Sequence, residues 1–134
     1  MTVLSNTTAQ TLQPGQSITF DVIVLKTGDA ECFRYGTSAI KMKTNGVYEV
    51  VFRGNVAALT AATTVNLAIQ LGGDTLPETT MTATSSAAGD VNNISGGTKV
   101  KNSCCDYDRL TVTNIGTVPA VVAANSCFDV KRVG

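Results

Sequence analysis

The chain has 134 residues, ten basic and ten acidic side chains, and no histidine, so its formal net charge is zero. That balance leaves no basic stripe to neutralise phosphates, which excludes a nucleic-acid binder, and no run of 18 apolar residues argues a membrane-spanning helix. Charged residues are 15% of the chain, against roughly 25% in typical domains, and the length suits one domain with its own core.

In chain order, Thr2 to Leu12 is polar and β-leaning, and residues 1–13 are expected to form an N-terminal arm. Pro14-Gly15 is a turn signal. Ser17 to Leu25 alternates at first and ends in a continuous apolar run, as expected of a strand end covered on both faces. Cys32 to Tyr35 is a short β-patterned piece after the Thr27-Gly28-Asp29 turn, and Ser38 to Lys43 is a strand. Asn45-Gly46 then stands between two β-patterned runs, the strongest short-range signal for a hairpin with a type I′ turn.

Val47 to Ala58 is the clearest strand, with Tyr48, Val50, Phe52 and Val56 on one face and Glu49, Val51, Arg53 and Asn55 on the other. Thr63 to Leu71 follows, with Val65, Leu67, Ile69 and Leu71 on one face, and closes at Gly72-Gly73-Asp74. Glu78 to Ser85 is strand-like. Ser85 to Gly97 is rich in Ser, Ala, Gly and Asn and reads as a long surface loop or a bulged strand. Lys99–Cys105, Arg109–Asn114, Val118–Ala124 and Cys127–Val133 are the closing strands. Eight to ten short strands with no sustained helical period argue an all-β antiparallel sandwich.

The chemistry is sparse. Without histidine the commonest general base is missing, and neither a Ser-His-Asp triad nor a Cys-His dyad can be built from one chain, so no enzyme and no cofactor are expected. The four cysteines, Cys32, Cys104, Cys105 and Cys127, show no paired metal-knuckle spacing and are expected to be free thiols. Asp106-Tyr107-Asp108 is the densest acidic cluster, but one Asp-x-Asp lacks the six or more oxygens Ca²⁺ takes, and a turn is the expected role. Gly72-Gly73 and Gly96-Gly97 precede no Lys-Ser/Thr pair, so neither is a phosphate loop. Asn6-Thr7-Thr8 fits a glycosylation sequon, yet Met1 to Thr7 has no basic and then apolar leader, so no secretion signal is expected. Tyr48 and Phe52 share a face that suits core or subunit interface better than a sugar-stacking platform.

The order of Gly46-Val47-Tyr48-Glu49-Val50-Val51-Phe52, then Val65 to Gly73, then Asp108 to Asn114, Val118 to Val122 and a last strand to Arg132 resembles the C1q/tumour-necrosis-factor-like jelly roll. The bacterial and phage branch of that family fits best, through small trimeric proteins on phage heads or head fibres. The resemblance implies a homotrimer that buries an aromatic-bearing sheet face, with Tyr48, Phe52, Leu67 and Phe128 as the matching positions. It implies a virion component, present in host cytoplasm during assembly, that decorates the capsid and contacts the major capsid or another virion protein. Thr2, Val3 and Leu4 of the arm are the candidate contacts, since an exposed strand can add to a neighbouring sheet edge. The alternative is a receptor- or glycan-binding fibre tip that recognises a host-surface glycan through Ser85 to Gly97 and Gly28 to Arg34.

Overall fold

The structure is a computed structural model that describes residues 1–28, 30–33, 36–103 and 109–134. Among these residues the strands in chain order are β1 (Thr2–Ser5), β2 (Gln10–Leu12), β3 (Val22–Lys26), β4 (Glu31–Cys32), β5 (Ile40–Met42), β6 (Gly46–Ala58), β7 (Thr64–Leu71) and β8 (Asp74–Thr75). A single 3-10 turn, Pro77–Thr79, precedes β9 (Met81–Thr84), β10 (Asn92–Asn102), β11 (Arg109–Asn114), β12 (Ala120–Val122) and β13 (Cys127–Arg132).

Two antiparallel sheets enclose the core. In the first, β10 pairs along its whole length with β6, from Asn92↔Val56 to Asn102↔Gly46. The other edge of β6 takes β13 and β12 end to end. Beyond them lie β1 and β2, and β3 closes the edge next to β1. In the second sheet β11 lies between β7 and β5, with β4 outside β5 and both β8 and β9 along the far edge of β7. Past the end of β5, residues 15–18 continue along β11 as a strap, with Ile18 N–H donating to Val112 O at 2.9 Å.

Side-chain alternation drives this arrangement. On β6, Tyr48, Val50, Phe52 and Val56 are buried while Glu49, Arg53 and Asn55 are exposed. On β7, Val65, Leu67 and Ile69 face the same core. At its centre Phe128 stacks on Phe20 with ring centroids 5.6 Å apart and meets Phe52 edge-on at 6.5 Å. Aromatic pairs at such spacings add stabilisation beyond the area they bury.

Several sequence expectations change. Asn45-Gly46 makes no hairpin: β5 belongs to the second sheet and β6 to the first, so the turn carries the chain across the sandwich. Asn45 is not among the residues with positive φ, as a type I′ turn would require. Gly46 has φ 145°, and a Cβ there would lie 2.5 Å from Arg132 Nε and Gly134 O, so close approach selects the glycine. The two-residue hairpin with positive φ at both centres is Gly72-Gly73, at 60° and 91°, between the paired residues Leu71 and Asp74. Ser17 to Leu25 is two pieces, the strap and β3, and the apolar end is uncovered, with Val24 61% exposed at the sheet edge. Ser85 to Gly97 is a loop only in its first half, since Asn92 to Gly97 belong to β10.

Candidate functional site

The four residues expected at a subunit interface lie inside the chain's own core. Tyr48, Phe52, Leu67 and Phe128 are each 0% exposed in the single chain. Their side chains are spent on intramolecular packing, so they offer neither a trimer contact nor a sugar platform. The reason is the sandwich itself: the apolar face of β6 has the second sheet to cover it.

Tyr48 serves the fold through its hydroxyl. Its oxygen lies 2.9 Å from both Ala30 O and Thr44 O, which share its proton, and 2.8 Å from Thr44 Oγ1. Asn102 Nδ2 donates to the same Thr44 carbonyl at 2.9 Å. These bonds fasten the crossing between the sheets. Tyr48→Phe is expected to cost about 1–2 kcal/mol, because buried acceptors lose a donor; a chemical-denaturation midpoint equal to that of the parent would count against it.

The expected arm is also part of the fold. β1 runs between β13 and β3, and Thr2, Val3 and Leu4 are buried. Thr2 Oγ1 donates to Glu31 Oε1 at 3.0 Å, and the Met1 amino group lies 2.5 Å from the same oxygen, joining β1 to β4. Thr2, Val3 and Leu4 therefore cannot leave to pair with a partner's sheet edge without opening the domain. Asn6, just after β1, is buried at the joint between the end-to-end strands. Its Nδ2 donates to Thr8 O and Ala123 O, and its Oδ1 accepts from Ser126 N–H at 3.0 Å and from the Ser126 hydroxyl. An amide engaged in this way is no glycan acceptor. Sequence reasoning missed this pin, because the partners that close the joint, Ala123 and Ser126, are more than 110 residues away.

Cys32 and Cys127 are free thiols, both half-buried. Partial burial, and then the hydrogen bond to the Asp129 carboxylate at 3.0 Å, push the Cys127 thiol up from its ordinary value. It is a weak nucleophile for that reason. Asp21 accepts from the Thr7 hydroxyl and backbone N–H, which hold its carboxyl below the usual range. It clasps Thr7 to the chain just before β3. Cys104, Cys105 and the Asp106-Tyr107-Asp108 cluster lie outside the described residues. Among the described residues no three His, Cys, Asp or Glu side chains converge on a metal-sized space.

Among the described residues the surface carries several shallow hollows, one of them between β2 and the strap at Gln10, Leu12 and Ser17. On the first sheet, the outer face of β6 and β10 forms a shallow hollow of about 420 Å³ around Val51, Arg53, Gly97 and Lys99. Val51 stands in register with Gly97 on one side and Asp129 on the other. Leu59, directly after β6, and Val91, directly before β10, are 53% and 62% exposed at the same end of that strand pair. Arg53 and Asp129 form an exposed ion pair at 3.4 Å. On the second sheet, a cleft of about 530 Å³ opens beside Arg109 and Lys41.

Solved structures share this architecture. The globular domain of a zebrafish complement 1qA protein superposes with a TM-score of 0.72 at 14% identity, covering 99% of this chain and 96% of that one. An Eiger TNF from S. frugiperda gives 0.78 at 10% identity, covering 99% and 91%. The chain has the C1q/TNF jelly-roll fold. Murine APRIL at pH 5.0 extends the likeness, with a TM-score of 0.64 at 15% identity over 97% of this chain and 98% of that one. No protein-family model and no curated protein sequence matches the chain. The C1q/TNF jelly roll here is therefore carried by its pairing pattern, at identities too low to carry over a binding surface.

Proposed function

We propose that the protein is a homotrimeric, non-catalytic jelly-roll module of a phage or prophage particle that binds the outer surface of the major capsid protein. The observation that carries the self-association is the outer face of β6, β10 and β13. There a half-buried Val51, a side-chain-free Gly97 and a balanced set of charges line a shallow hollow. Glu49 is in register with Lys99 and Lys131, and Arg53 pairs with Asp129, so the face carries both signs in balance. A threefold contact joins two different patches of each chain, and the exposed Leu59 and Val91 supply apolar area beside the charges. The weakly charged, hydroxyl-rich exterior supports packing against other protein. Three copies of one binding surface raise avidity for a repeating shell when all engage.

Sedimentation tests the reading. The protein alone is expected to run as a trimer, and Val51→Arg as a folded monomer with the parent's circular dichroism. A monomeric parent would refute the assembly. The trimer is expected to co-sediment with phage shells; a trimer that ignores them would refute the capsid partner and leave the assembly standing.

A further inference from the structure

We infer that Asn45 is a site of spontaneous covalent modification, losing its side-chain amide in water and leaving aspartate or isoaspartate in the crossing between the sheets. Asparagine is among the thermolabile side chains. It decays when the nitrogen of the following peptide attacks its side-chain carbonyl, and a Cβ on the following residue obstructs that approach. Of the asparagines in the chain, only Asn45 is followed by glycine. The fold itself calls for that glycine, since a Cβ at position 46 would lie 2.5 Å from Arg132 Nε and Gly134 O. It makes no such demand for the asparagine, which has no positive φ to accommodate.

Exposure and pairing also set Asn45 apart. It is exposed in the turn between β5 and β6, and among the described residues its side chain has no hydrogen-bond partner. Asn6 and Asn114 are buried with both ends of the amide bonded, and Asn102 is buried with Nδ2 donating to Thr44 O. Asn66 accepts from Thr82, Asn93 donates to Asn55, and Asn92 donates to Thr84 O. Asn125 is exposed, but the nitrogen placed to attack it, that of Ser126, donates to Asn6 Oδ1 at 3.0 Å. At Asn45 the attacking nitrogen is that of Gly46, which forms with Asn102 the last pair of the β6–β10 ladder. Ladder ends open at the least cost in free energy.

The Gly46 nitrogen gives its proton to water and bonds to Asn45 Cγ. The Cγ–Nδ2 bond breaks, and the amide nitrogen takes up a proton and leaves as ammonia. One water then opens the cyclic imide. Entry at the side-chain carbonyl gives aspartate, and entry at the backbone carbonyl gives isoaspartate, whose main chain runs through the former side chain. Water is the sole co-reactant. Isoaspartate adds a methylene to the backbone between Thr44 and Gly46. Thr44 is tied there to Tyr48 and Asn102, and Gly46 is wedged against Arg132 and Gly134, so these contacts must give way to the added length. The isoaspartyl chain therefore has a loosened crossing. This inference does not depend on the capsid reading.

Ageing the full chain in warm, mildly alkaline heavy-oxygen water tests it, with peptide mapping and an isoaspartate-specific methyltransferase as readouts. Conversion at residue 45, with solvent oxygen incorporated there, is expected to exceed that at every other asparagine severalfold. The aged parent is expected to show a lowered chemical-denaturation midpoint in proportion to its isoaspartate. Asn45→Gln is expected to keep the fresh parent's midpoint before and after ageing, because its longer side chain closes a larger and slower ring. Fresh Asn45→Asp, which carries the charge without the added methylene, is also expected to keep it. An amide at residue 45 that survives as well as that of Asn102 would overturn the site. Isoaspartate that accumulates with an unchanged midpoint, or an equal fall in fresh Asn45→Asp, would overturn the loosening by the lengthened backbone.

Discussion

A chain lacking residues 2–5 is expected to show no cooperative thermal transition by circular dichroism. β1 is hydrogen-bonded on both sides, to β13 through Leu4↔Phe128 and to β3 through Leu4↔Ile23. Its removal strands β3 and exposes the edge of β13. Leu4 is fully buried, and truncating a buried leucine to alanine alone costs about 2–5 kcal/mol. Thr2 is also a partner of the buried Glu31 carboxylate, and the Glu31 Oε2 oxygen already has none. A buried charge that loses its partner is strongly destabilising. These losses together match or exceed the whole stability of a domain, about 5–15 kcal/mol. The same experiment separates an inner strand from a detachable arm: a truncated protein that melts cooperatively within a few degrees of the parent would return Thr2, Val3 and Leu4 to the role of an arm.

Phe128→Ala is expected to destabilise the domain by about 3–5 kcal/mol, the range for a buried phenylalanine replaced by alanine. Its ring is fully buried and touches both Phe20 and Phe52, so the cavity would open at the meeting point of three aromatic rings. Melting is expected to fall by on the order of 10 °C, following the entropy of unfolding of a domain this size. The folded fraction is expected to keep the parent's sedimentation coefficient. An interface residue would behave in the opposite way, with the trimer lost and the stability of the single chain retained. Comparing Phe128→Ala with Val51→Arg therefore tells the two faces of the first sheet apart.

The sequence identified which side chains turn inward without saying what covers them. On β6 and β7 the period-2 alternation was legible, and the apolar faces are the buried ones. β11 departs from such alternation, since the polar Thr113 and Asn114 at its end are both buried. Placing Tyr48, Phe52, Leu67 and Phe128 between subunits failed because alternation marks a face as buried and carries no information about whether the cover belongs to the same chain. Asn45-Gly46 misled for a similar reason: its local preference is for a hairpin, but pairing in the two sheets puts β5 and β6 on opposite sides of the core. Asn92 to Gly97 has poor strand propensity, yet it is held along β6 by continuous pairing. Its glycines are fitted to close contact. A Cβ at Gly96 would come 2.8 Å from Thr79 O, and one at Gly97 would come 2.6 Å from Val50 O.

The sequence by itself determined the all-β class, the inward faces of β6 and β7 and the weak electrostatics, because each depends on residue type and near neighbours. Only the tertiary structure decided that residues 2–5 form an inner strand, that the aromatic face closes on its own core, and that Asn6 pins the strand joint. It alone brought Arg109 beside Lys41 at the break in the second sheet. Those outcomes depend on strands far apart in the chain, as when β1 meets β13 or β11 meets β5, and pairing at that range is settled by how all the faces are covered together rather than by any local pattern.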